Sequence, residues 1–276
     1  TRRSSDLAKR LGTNGQPIPL IAETGGQNAM IVDSSALTEQ VVIDVLNSAF
    51  DSAGQRCSAL RILCVQEDNS KTLVTMLKGA MQQLIMGNPF LLKTDIGPVI
   101  DLEAKQTIDQ HIQKMRSKGY PVHQLIFNHE AASQAQLSQG TFVTPTLIEL
   151  PNLDDLEREV FGPVLHVITY KHGEVKQLLE RINAKGYGLT MGLHTRIDET
   201  INTVVQHAEV GNLYINRNIV GAVVGVQPFG GEGLSGTGPK AGGPLYLYRL
   251  MASCTEKAIQ TPFGIPAENV AVPLTQ

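Results

Sequence analysis

The sequence predicts an α/β protein, a three-layer αβα arrangement with a mainly parallel sheet covered on both faces. Two observations carry this. Short β-rich runs alternate with longer segments of helical periodicity along most of the chain. The 276 residues are 42% apolar and 18% charged, an ordinary globular composition with ample core.

The elements follow in order. Ser4 to Leu11 reads as a short basic helix, and Ile18 to Glu23 as a strand running into Thr24-Gly25-Gly26. Ala29 to Val32 is a second apolar run. Leu37 to Ala53 carries Leu37, Val41, Val42, Val45, Leu46, Ala49, Phe50 and Ala53 on one helical face, with Gly54 as its C-cap. Arg61 to Val65 is a strand, and Lys71 to Met86 a helix ended by Gly87-Asn88-Pro89. Asp101 to Lys118 is a polar helix, Gln124 to Phe127 a strand, and His129 to Gly140 turn-like. Thr146 to Leu150 and Val164 to Tyr170 are strands, followed by a helix at Glu174 to Ile182. A strand at Met191 to Thr195, a helix at Glu199 to Ala208 and a strand at Leu213 to Ile215 complete the alternation.

Composition also excludes function classes. A net charge of −3 gives no footprint for nucleic acid or an acidic membrane. The longest apolar run, Ile219 to Val226, is too short and glycine-broken to span a bilayer. Cys57, Cys64 and Cys254 are few and odd in number, which suggests free thiols in a reducing, cytoplasmic compartment. The seven histidines show no metal-ligand spacing, so no metal site is expected.

Parallel sheets usually place their sites at the carboxyl ends of strands, and Glu23 and the Cys57 loop are candidates on that ground. Cys57 follows a helix C-terminus, whose negative end disfavours a thiolate, while Arg56 and Arg61 flank it and favour one. It reads either as a nucleophile or as a small buried hydrophobe. Glu23, before two glycines, reads as a general base or a solvated strand end. Glu159-Val160-Phe161-Gly162-Pro163 sets an acid and an aromatic before a turn, suited to a ribose hydroxyl and a flat ring or simply a helix end. Ten of the 26 glycines lie between Gly211 and Gly243, which suits a loop whose bare backbone grips an anion.

Together these pieces resemble the aldehyde dehydrogenase superfamily. Glu23-Thr24-Gly25-Gly26 is similar to its glutamate motif, and Gly54-Gln55-Arg56-Cys57 to its cysteine motif 34 residues on. Gly87-Asn88-Pro89, Gly97-Pro98, Pro145-Thr146, Glu159 to Pro163, Tyr187-Gly188-Leu189-Thr190 and Pro228-Phe229-Gly230-Gly231 follow in the family's order. Ala22 to Ala29, Cys57 to Arg61 and Gln227 to Leu250 resemble the branch acting on glutamate semialdehyde (Δ1-pyrroline-5-carboxylate), and within it the bifunctional proline-utilising members.

The resemblance implies that Cys57 attacks the aldehyde, a hydride passes to NAD, and Glu23 activates the water that releases glutamate. It implies cofactor contacts from Glu159, Phe161, Thr24 and Gly25, and substrate contacts from Ser58, Gly221, Ala222 and Phe229. FAD is expected only in a separate upstream proline dehydrogenase domain, and a homo-oligomer in the longer parent. The implied division is a coenzyme-domain remnant over 1–26, a catalytic domain over 27–236 and a return segment over 237–276.

Only 22 residues precede Glu23, and the family's tryptophan-containing oxyanion motif is missing from a chain with no Trp. The chain is therefore expected to be a fragment, inactive alone. The competing readings are another semialdehyde dehydrogenase, a non-catalytic interaction domain, and a cysteine hydrolase, which needs a base beside Cys57.

Overall fold

The computed structural model describes residues 11–13, 15, 18–126 and 140–251. Its centre is a seven-stranded sheet built from β1 (Ala29–Val32), β2 (Ile62–Gln66), β3 (Val122–Gln124), β4 (Thr146–Leu150), β5 (Val164–Tyr170), β7 (Thr190–His194) and β8 (Asn212–Ile215). The spatial order is β3-β4-β5-β2-β1-β7-β8. Every neighbouring pair is parallel except β3 with β4 at one edge.

The central strands β1 and β2 are buried at every position, as strands covered on both faces must be. Helices α1 (Thr38–Phe50), α2 (Glu67–Met81), α3 (Leu102–Ser117), α4 (Val175–Asn183) and α5 (Asp198–His207) supply the covers. The chain moves from β1 through β2 to the edge strand β3 in one direction along the sheet, then back through β4, β5 and β7 to β8 in the other. Right-handed crossovers therefore put α1, between β1 and β2, on one face and α4 and α5, between β5 and β8, on the opposite one. The packing agrees, with α1 against α2 and α4 against α5. A short helix α6 (Tyr246–Met251) and a two-stranded ribbon of β6 (Tyr187–Gly188) with β9 (Glu232–Gly233) complete the described elements. Among the described residues no helix is long and apolar enough to cross a membrane.

The α/β class and the parallel sheet are as the sequence predicts, and β4 and β5 have the predicted bounds. Several boundaries differ. Ile18 to Glu23 is not a strand: it lies beyond the sheet and makes only an isolated bridge between Glu23 and Gly236. Helix α1 stops at Phe50, because Ser52 and Ala53 turn into the left-handed region at φ 56° and 54°. Helix α2 begins at Glu67, where Glu67 and Asp68 meet its positive N-terminal end, and stops at Met81, before Gly87. Gly87-Asn88-Pro89 instead forms a turn in which Asn88 Oδ1 accepts the Phe90 N–H. Strand β3 ends at Gln124, where the predicted strand begins, and pairs antiparallel with β4. Helix α6 and the ribbon strand within the glycine tract are not foreseen. Cys254 and nearly all of the Ser4–Leu11 helix and of the His129–Gly140 segment lie outside the described residues.

The expected placement at the carboxyl ends of the strands is overturned. Glu23 precedes β1, Cys57 precedes β2 and Glu159 precedes β5. In a parallel sheet all three therefore lie at the amino edge.

Candidate active site

Cys57 sits in a loop between the short 3-10 turn Asp51–Gly54 and β2. Three successive left-handed residues, Ser52, Ala53 and Gly54, turn the chain away from α1. The loop is then fixed from two sides. Asn28, one residue before β1, donates its amide to the carbonyls of Cys57 (2.7 Å) and Ala59 (2.8 Å). Its Oδ1 accepts the Thr190 N–H at 3.1 Å, so one buried side chain ties the loop to β7. From the other side comes Arg61, the most deeply buried charge described, with 0% exposure.

All five N–H donors of Arg61 are used. Nη1 donates to the carbonyls of Gly54 (2.7 Å) and Gly162 (3.2 Å). Nη2 donates to the Arg56 carbonyl (3.2 Å) and to Glu159 Oε1 (3.1 Å), and Nε reaches the same Oε1 at 3.3 Å. A buried guanidinium is tolerated only when paired and hydrogen-bonded in this way. Its face also lies 5.1 Å from the centre of the Phe161 ring.

Glu159 is thus clamped by Arg61 through one oxygen, and Oε2 lies against Gly25. Gly25 has φ +132°, and a Cβ there would collide with Oε2, so glycine is required twice over. The Gly26 N–H favours the charge of this carboxylate. The glutamate motif and the Glu159 motif, distant in sequence, are one packed unit. Burial pushes Glu159 up, while Arg61 and the Gly26 N–H oppose it.

Glu23 reaches the site from the same segment. Its Oε2 accepts the Gly231 N–H at 3.2 Å, and a side chain at Gly230 would crowd Oε1. The flanking backbone is held by Thr24 N–H to the Ser235 carbonyl and Thr237 N–H to the Ala22 carbonyl. Part of the glycine cluster therefore serves to let backbone approach Glu23. Burial pushes the Glu23 carboxyl above its ordinary value, with the Gly231 N–H opposing.

Cys57 is half-buried. Burial pushes its thiol up, the Ser58 N–H opposes, and the charges of Glu23 and Glu159 push it further up. The expected lowering by Arg56 and Arg61 does not occur. Arg56 turns to Ser52 Oγ at 3.0 Å, and Arg61 spends its charge on Glu159. Cys64 is fully buried in β2 and pushed up to about 12, an inert structural thiol.

A groove of about 640 Å³ opens beside Glu159 and Phe161, between α3 and residues 155–161. Phe161 is 45% exposed there. His111 lines the same groove, and its Nε2 lies 2.9 Å from His166 Nε2. His166 Nδ1 faces the Arg61 carbonyl at 3.0 Å. Since that carbonyl only accepts, His166 carries its proton on Nδ1 and His111 donates from Nε2.

The structure brings Glu23, Gly25, Cys57, Glu159 and Phe161 together, with Thr24 beside them. Ser58 is buried, with its carbonyl facing Thr190 Oγ1 at 3.4 Å. Phe229 is half-buried, pairs with Ala241 and lies two residues from the Gly231 that bonds Glu23. Gly221 is exposed, with φ +81°. It and Ala222 follow Ile219, whose N–H donates to Ser48 Oγ on α1 at 3.1 Å. No hydrogen bond among the described residues ties Gly221 or Ala222 to Cys57. Asn28 and the clamping role of Arg61 are not foreseen from sequence.

Comparisons with known proteins agree with this geometry. The aldehyde dehydrogenase family model matches residues 4–255. The bifunctional protein PutA of Klebsiella aerogenes is 65% identical over 259 residues, covering 94% of this chain and 20% of that protein. A crystal structure of a Bradyrhizobium japonicum proline utilization A (PutA) mutant superposes with a TM-score of 0.82 and 49% identity, over 90% of this chain and 25% of that one. A 1-pyrroline-5-carboxylate dehydrogenase from Thermus, with bound NAD, gives a TM-score of 0.73 and 33% identity, over 83% of this chain and 43% of that one. The chain thus spans about a fifth of the length of the PutA proteins it matches. On the extent of the family match and on the joining of its glutamate and cysteine motifs at one edge of the sheet, the chain belongs to the aldehyde dehydrogenase family.

Proposed function

We propose that this chain carries the thiol chemistry of an NAD-dependent oxidation of L-glutamate γ-semialdehyde to L-glutamate. The observation that supports it most is the grouping of a half-buried thiol with two carboxylates of different surroundings, Glu23 and Glu159. PutA proteins and a 1-pyrroline-5-carboxylate dehydrogenase among its relatives support the substrate.

The residues fit the nicotinamide-ribose part of NAD. Glu159 is held rigidly at a groove, backed by a glycine that leaves room against its outer oxygen, with the Phe161 ring exposed beside it. NAD bound there would supply the hydride acceptor. Glu159 would bind ribose hydroxyls, Phe161 would pack near the ring, and Thr24 and Gly25 would line the pocket with backbone.

Cys57 Sγ adds to the aldehyde carbon and its proton leaves to a base; loss of the resulting thiohemiacetal's C–H as hydride to that acceptor would leave a thioester on Cys57. The raised Glu23 carboxyl is suited to accepting the thiol's proton and to taking the proton of the water that cleaves the thioester. Burial of Cys57 and the nearby charges of Glu23 and Glu159 favour the protonated thiol at rest. Ser58, Gly221 and Ala222 would receive the substrate carboxylate, and Phe229 its aliphatic chain. Residues 27–236 would form the catalytic domain, with 1–26 and 237–276 belonging to or returning toward the coenzyme domain. The same resemblance supports a cytoplasmic homo-oligomer, with FAD confined to a separate proline dehydrogenase domain.

The test is turnover by the full-length natural protein with NAD, comparing glutamate semialdehyde with succinate semialdehyde and unbranched aldehydes. Preferred oxidation of glutamate semialdehyde is expected. Preference for another aldehyde would remove the substrate assignment, and no NAD-dependent oxidation of any aldehyde would remove the reaction.

A further inference from the structure

We propose that Arg61 is a positioning residue that holds the nucleophile loop in register with the cofactor-binding carboxylate. This rests on the roles given above to Cys57 and Glu159. Arg61 touches neither the thiol's sulfur by a hydrogen bond nor the groove's open side; it acts through its neighbours.

The geometry points to this because of what the five donors join. Two of them end on the Gly54 and Arg56 carbonyls, which flank the turn into Cys57. Three end on Glu159 Oε1 and the Gly162 carbonyl, at either end of the segment carrying Glu159 and Phe161. One rigid planar group therefore links the two loops. The Cys57 loop needs such a link: Ser52 and Ala53, neither a glycine, are held at positive φ immediately before it. Gly54 is likewise locked, since a side chain there would run into the Gly162 backbone. Asn28 fixes the far side of the same loop, so Arg61 and Asn28 bracket Cys57.

A lysine can keep one charge contact with Glu159 but cannot serve three carbonyls as well. Displacing a reacting group by about 1 Å costs on the order of 100-fold in rate. The experiment compares Arg61→Lys and Arg61→Met with wild type in the full-length natural protein, below the unfolding temperature of each. It reads kcat and KM for NAD and for semialdehyde, the alkylation rate of Cys57 by iodoacetamide, and thermal stability.

The expected result is folded Arg61→Lys protein with kcat lowered about 100-fold. KM for NAD should rise and Cys57 alkylation change at least about 5-fold, with Arg61→Met worse on each count. Wild-type kcat, KM and alkylation in folded Arg61→Lys protein would overturn the proposal. So would failure of both variants to fold, which would make Arg61 a structural cross-link. If the wild type oxidises no aldehyde, the functional reading fails by itself, and the alkylation comparison still decides whether Arg61 sets the thiol's environment.

Discussion

The two edges of the parallel sheet close in different ways. At the carboxyl edge, Asp33, Ser35, Thr195 and Asn216 satisfy one another. Asp33 Oδ1 accepts the Ser35 N–H (2.8 Å) and hydroxyl (2.6 Å), and the Thr195 hydroxyl donates to Asp33 Oδ2. Asn216 then pairs with the Thr195 backbone in both directions, at 3.0 and 2.9 Å. At the amino edge, Arg61 and Asn28 spend their bonds on holding loops, and two groups beside them keep free capacity: the Cys57 thiol is half-buried, and the Glu23 carboxyl meets the Gly231 N–H. That carboxyl-edge cluster is finished as structure, while the amino edge is a rigid frame around reactive groups. A site needs both satisfied supports and unsatisfied chemistry.

The comparison can be broken most directly at the nucleophile. Cys57→Ala is expected to lower oxidation in the full-length protein by about 10⁴-fold or more, whereas Cys64→Ala stays near wild type in kcat. Steady-state rates with purified variants check this, and equal losses at both positions would remove Cys57 from its role.

Glu23→Gln comes next, with a loss of about 10²–10⁴ in turnover at the hydrolytic step. Because the Glu23 charge raises the thiol, removing it should also move the pH midpoint of Cys57 alkylation downward. An upward or unchanged midpoint would contradict the placement of Glu23 beside Cys57.

The edges can then be set against each other. Asp33→Ala, at the carboxyl edge, strands Ser35 and Thr195 and should cost about 1–3 kcal/mol of stability with KM unchanged. Asn28→Ala should cost a similar stability but also raise KM and slow turnover, since it frees the Cys57 carbonyl. Denaturant melts alongside kinetics decide it, and matching kinetic effects at the two edges would erase the distinction.

A last effect, on stability rather than on catalysis, concerns acid. His111 is pushed down to about 4 and His166 to about 3, each mainly by burial. The unfolded chain takes up these protons near pH 6.5, and the folded one refuses them. Their contribution to stability is therefore full above pH 6.5 and lost as pH falls through about 4 and 3. Thermal melts from pH 7 to pH 4 should show this decline, and a His166→Gln protein should show less of it.

Much of this was legible in the sequence. Thr146–Leu150 and Val164–Tyr170 are apolar runs directly after prolines, and their bounds are as expected. The glutamate and cysteine motifs were legible because glycines mark close approaches. The edge of the sheet was legible too, since each motif precedes a strand of a parallel sheet, yet the general tendency toward carboxyl ends pointed the other way. Arg61 was not. The sequence places Arg61 at the start of a strand and offers its charge to the nearby thiol, whereas its five hydrogen bonds go to four groups spread over residues 54 to 162. Long-range hydrogen bonds leave no period in a sequence. Ile18–Glu23 misled for the opposite reason: its apolar character suits a strand, but among the described residues it makes only the isolated Glu23–Gly236 bridge.

The central claim is that Cys57 holds the substrate as a thioester that Glu23 helps to cleave. Its most direct test is peptide mass spectrometry on the full-length Glu23→Gln protein, quenched in acid during turnover with NAD and glutamate semialdehyde. The account predicts a glutamyl mass on the peptide containing Cys57, dependent on NAD. A label on another residue, or none while oxidation proceeds, would contradict it.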